Sequence, residues 1–116
     1  MIIEYKVVSN GSAVMETFSP GTPQEMVSIY YDRGGRLAMT HYCSLGNRPQ
    51  MKLKKSTENE IDLDYTSSEG INTHKDMHMH SLKLTFVDDK HLKADWTSYE
   101  KGKSTGVHTF DLTRAK

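Results

Sequence analysis

The residues best equipped for chemistry in this chain are six histidines and one cysteine. Imidazole and thiolate can ligate metal ions, move protons or attack carbonyl carbon, so their spacing is considered first. His78 and His80 alternate with Met77 and Met79. In extended backbone, residues two apart share a face with their Cα atoms about 6.6 to 6.8 Å apart, close enough for both rings to meet one ion. His41 and Cys43 repeat that spacing, and His108 stands by itself. None of these intervals is that of a zinc motif, so no metal and no cofactor is assigned, haem included. The competing reading is a network in which buried imidazoles satisfy one another and the backbone. Cys43 with His41 as its base would make a nucleophile, yet two residues along one strand splay their side chains apart, and a lone buried cysteine packs as a small hydrophobe. No catalytic residue is assigned.

The elements that must carry these side chains are short runs of alternating apolar and polar residues separated by turn-forming clusters, the pattern of an antiparallel meander. Nine strands are expected, at 2–8, 12–18, 25–31, 36–43, 50–55, 60–65, 77–87, 92–99 and 107–113. Asn10-Gly11 marks a tight hairpin, because both residues tolerate the positive φ that such turns need. The run from Glu25 to Tyr31 is contested. Thr22, Pro23 and Glu25 could cap a helix, but the alternation of Val27, Ile29 and Tyr31 and the turn Asp32-Arg33-Gly34-Gly35 favour a strand. The stretch 66–75 is polar and reads as exposed.

Alternation also says which polar residues accompany the apolar ones to the buried face. Counting back by twos from Leu82, Leu84 and Phe86 brings His80 and His78 inside. Counting forward from Leu37 and Met39 brings His41 and Cys43; Phe110 and Leu112 bring His108, and Trp96 brings Ser98. In an up-and-down meander the end of the fourth run and the start of the seventh share a rim, which also receives Glu25, Asn47, Ser98 and His108. Leu37, Phe86, Leu92 and Leu112 fall at the opposite end. The expectation is a barrel with an apolar floor and a histidine-rich mouth.

Composition narrows the function classes. At 116 residues the chain is one domain, 1–116. Lys plus Arg and Asp plus Glu balance at 15 each, so no long-range field favours nucleic acid or anionic lipid. With 35% hydrophobic residues and a mean hydropathy of −0.67, a membrane protein is not expected. Charges at Glu4 and Lys6 interrupt what a signal peptide would need, and Cys43 has no second cysteine to pair with, which points to the cytoplasm.

The residues Glu16-Thr17, Pro20-Gly21-Thr22, Glu25-Met26-Val27, Thr40-His41-Tyr42-Cys43, Gly46-Asn47, Pro49 and Met51, with Met77-His78-Met79-His80, Leu82, Leu84, Thr85, Phe86 and Trp96-Thr97 later, resemble a family of uncharacterised bacterial proteins. That family looks like a calycin, or lipocalin-like, β-barrel, and the resemblance covers most of the chain. It implies an all-β barrel with a central cavity and transfers no biochemical role. Family members carry further sequence before the strand that begins here at Ile2, which would leave this barrel open or closed by a partner in a homodimer. The expected ligand is a small hydrophobic or amphipathic molecule, its polar end met by His41, Cys43, Glu25, Asn47, His78, His80 and His108. Trp96, Tyr5, Tyr65, Met26 and Met39 would supply flat or adaptable contact; the equal alternative is that side chains fill the barrel completely, as in many small ones.

Overall fold

Each expected run becomes a strand and each strand finds its partner in the next one along the chain. The computed structural model describes residues 1–68 and 70–115. Its strands are β1 (Ile3–Val8), β2 (Ala13–Phe18), β3 (Met26–Arg33), β4 (Arg36–Tyr42), β5 (Gln50–Ser56), β6 (Glu60–Ser67), β7 (His78–Phe86), β8 (His91–Glu100) and β9 (Lys103–Thr113). They pair antiparallel in chain order, one meander curled into a half-barrel. Among the described residues β1 and β9 do not pair, so the curl stops short of closure.

The contested third run is a strand because both of its edges are taken. Val27 through Tyr31 hydrogen-bond to β2 on one side and to β4 on the other, and two full ladders outweigh a local capping signal. Its phase differs from the one its apolar residues suggest. Ser28 and Tyr30 are the buried members, while Val27, Ile29 and Tyr31 are half-buried on the opposite face. The first hairpin turns where Asn-Gly stands, with Asn10 at φ 57° and Gly11 at φ 84°. Among the described residues no helix is long and apolar enough to cross a membrane.

The concave face is packed solid. Phe18, Tyr30, Met39, Met51, Leu63, Leu82, Leu84, Ala94 and Trp96 form one buried cluster. Register delivers them in transverse rows: Val14, Tyr30, Met39 and Met51 are successive cross-strand partners, as are Leu63, Leu82 and Trp96. Trp96 crosses the curl. From β8 its indole meets Phe18 of β2 edge-on at 5.9 Å and His41 of β4 at 4.7 Å, so the two halves of the sheet close on one another through this residue. The interior therefore holds side chains where a central cavity had been expected. Truncating Trp96 to alanine should cost about 3–5 kcal/mol of unfolding free energy by urea titration, while Val107→Ala, at an exposed site on β9, should stay within about 0.5 kcal/mol. Equal effects of the two would contradict the bridging role.

Candidate functional site

A polar row runs across the first four strands beneath this apolar packing. Tyr5, Glu16, Ser28 and His41 are consecutive cross-strand partners on β1, β2, β3 and β4. The Tyr5 hydroxyl donates to Glu16 Oε2 at 2.5 Å and the Tyr30 hydroxyl to Oε1 at 3.0 Å. Ser28 Oγ is 2.8 Å from His41 Nδ1. Glu16 is only 2% exposed, and among the described residues no cation touches it. Burial pushes its carboxyl above the usual carboxylate range, and hydrogen bonds from Tyr5, Tyr30 and Ser28 offset part of that rise. Burial and the neighbouring carboxylate together push the phenols of Tyr5 and Tyr30 upward, so both remain donors. His41, edge-on to Phe18 and tilted against Trp96, is held down to about 4 by burial and is neutral at pH 7.

A second polar group lies at the start of β7. The ladder to β8 slips between Met79 and Ser81, which leaves His80 as the extra residue of a bulge and re-aims its ring. That ring lies between Tyr65 of β6, 5.2 Å away and 14° from parallel, and Tyr99 of β8, at 3.9 Å and 19°. His78, wholly buried, places Nδ1 2.9 Å from the carbonyl oxygen of Asp76 and Nε2 2.9 Å from His80 Nδ1. A carbonyl only accepts, so His78 Nδ1 carries a proton. His80 Nε2 stands 4.0 Å from Asp64 Oδ1, and its imidazole is shifted down by burial and by His78, against a smaller upward pull from Asp64. The two rings bond to each other, and among the described residues no three His, Cys, Asp or Glu side chains gather as a metal-binding group.

The remaining candidates are dispersed. Glu25 is exposed and its Oε2 accepts the backbone N–H of Gly21 in the turn before β3. Cys43 is half-buried just past β4, where its N–H donates to the Asn47 carbonyl. Asn47 donates from Nδ2 to the carbonyl of Met77, linking the two loops, and its Oδ1 is buried with no partner among the described residues. His108 is exposed, although it pairs with Trp96 and shares its face. The alternation is right there, but β9 is an edge strand and leaves the ring exposed among the described residues. No ring or hydrogen-bond contact joins His41 to the His78–His80 pair, so the expected single rim is two separate groups among the described residues.

Open space lies elsewhere, where β1 and β9 fail to meet. A cleft of about 540 Å³ is lined by Ile3, Tyr5, Phe86, Leu92 and Leu112, with Asp88, Lys90, His91, Asp111 and Arg114 around it. Phe86, Leu92 and Leu112 were expected as part of the floor of a barrel; they instead form the wall of its open seam. The cleft wall and the polar row meet at Tyr5. Asp88 is kept below the usual carboxylate range by the backbone N–H of Lys90 and by His91, so it stays charged beside the cleft. No protein-family model, curated protein or solved structure matches the chain.

Glu16 shares a face with Val14 and Phe18 while Met15 lies opposite, which leaves its direction undecided from the residues, and Ser28 and Tyr30 escaped the reading because Val27, Ile29 and Tyr31 set the opposite phase for β3. A signal was present in the turns. Tyr5 and Glu16 are equidistant from Asn10-Gly11, and Ser28 and His41 from Gly34-Gly35, so hairpin counting alone pairs them.

A buried neutral imidazole makes stability depend on pH. His41 has a lower value folded than unfolded, so the unfolded chain binds more protons between about pH 4 and 6.5, and the native state loses about 3 kcal/mol as pH falls through that window. Glu16, raised in the native state, acts with the opposite sign. Urea unfolding at pH 7 and pH 4.5 should show a smaller acid-side loss in His41→Gln than in the wild type; identical losses would refute the assignment.

Proposed function

We propose that the protein binds a small apolar or amphipathic molecule in the cleft between β1 and β9. The observation that carries this reading is the contrast between a filled interior and a seam of about 540 Å³ walled by Ile3, Phe86, Leu92 and Leu112. A volume of that size suits one small ligand, and an apolar wall with a few polar groups is the usual composition of such a site. The resemblance of the residue pattern to calycin-like barrels points the same way. The location differs from the one expected from the histidines: the ligand sits at the unclosed seam, and the imidazoles at 41, 78 and 80 are engaged in contacts within the protein away from its lining.

Titration of isotope-labelled protein with octan-1-ol, followed by amide chemical shifts, locates the site. Saturable shifts concentrated at Ile3–Tyr5, Asp88–Leu92 and Asp111–Arg114 are expected, and Leu112→Trp, which fills the cleft, should weaken binding about tenfold or more, a loss of at least roughly 1.4 kcal/mol. Shifts centred on His78 and His80, or none at all, would overturn the proposal.

A further inference from the structure

Among the described residues, Glu16 is a buried carboxyl group without a counter-ion. The groups that face it are Tyr5 from β1, and Tyr30 and Ser28 from β3, with His41 of β4 behind Ser28. All four are neutral, and burial keeps the carboxyl above its usual range with no positive charge beside it among the described residues. Tyr5 joins this group to the cleft: it lines the open space, is 44% exposed, and commits its hydroxyl proton to Glu16 Oε2. A phenol has one proton to give, so with Glu16 ionised the Tyr5 oxygen offers a ligand only lone pairs.

We propose that the cleft selects an amphipathic cation, a molecule with an apolar body and a protonated amine that donates to Tyr5 Oη and supplies the charge Glu16 lacks. The inference rests on the cleft being the binding site and assigns the chemistry of the head group. An ammonium is favoured over an alcohol because its hydrogen bond is charge-assisted and because the carboxylate behind Tyr5 lies in a poorly screened interior. It is favoured over a carboxylate because a second negative charge would face Glu16 through an oxygen that cannot donate. Binding of the amine holds Glu16 ionised, so it releases a proton wherever the free protein carries one there. The charges around the cleft, Asp88, Asp89 and Asp111 against Lys90 and Arg114, lie near balance and do not by themselves discriminate.

The test compares octylamine, octan-1-ol and octanoate by calorimetry or amide shifts at pH 7.5. Octylamine should bind about tenfold tighter than octan-1-ol, the scale of one charge-assisted hydrogen bond, and octanoate weakest. Glu16→Gln should bring amine and alcohol to parity while leaving alcohol binding in place. An amine advantage that survives Glu16→Gln assigns it to the surface aspartates and overturns the proposal. Equal binding of amine and alcohol to the wild type overturns it and leaves the cleft reading standing; failure of all three ligands to bind overturns both. Should Glu16→Gln not fold, Tyr5→Phe, which removes the oxygen that meets the amine, must bring amine and alcohol to parity, and an amine advantage that survives it refutes the role of the Tyr5–Glu16 pair.

Discussion

Antiparallel register is the constraint on which the rest of this structure depends. It places Tyr5, Glu16, Ser28 and His41 side by side on four strands with Tyr30 two residues along β3, and so a carboxyl group that touches no cation among the described residues finds two phenol donors. A slip of one residue at any of the three ladders would turn one of these side chains to the other face and leave a buried polar group unmatched. The polar row thus acts as a lock on pairing as well as a chemical feature, and the apolar rows on either side of it inherit the same alignment.

Curling of the sheet then decides where space remains. Trp96 draws β8 against β2 and β4, and the methionines and leucines of the concave face fill the volume so enclosed. Close packing of that kind leaves no room at the centre. With nine strands and no ladder between the first and the last among the described residues, open space remains at the seam. Tyr5 belongs to both regions, which is why a buried carboxyl and a surface cleft can influence one another.

The histidine pair shows how a local irregularity redirects chemistry. On a regular strand, His78 and His80 would project in parallel from one face, a geometry suited to a shared ligand. The bulge at His80 instead brings the two rings into hydrogen-bond contact and stacks the second between Tyr65 and Tyr99. Each polar atom of the buried ring is satisfied from within the protein, so the pair serves as a specific, well-ordered part of the wall.

Much of the architecture was legible in the residues themselves. Alternation of apolar side chains marks all nine strands, and Asn10-Gly11 and Gly34-Gly35 mark the turns that pair four of them. It also identifies His41, His78 and Trp96 as buried, since the two-residue period of extended backbone is a local property. The phase of β3 was harder to read, because Val27, Ile29 and Tyr31 look like the core and Ser28 and Tyr30 occupy it. Curvature, the bulge at His80, exposure of His108 on an edge and the seam beside β1 depend on contacts between residues far apart in the chain. Local pattern dictates which way a side chain points along its strand; only the closing of the sheet on itself decides whether anything stands in front of it.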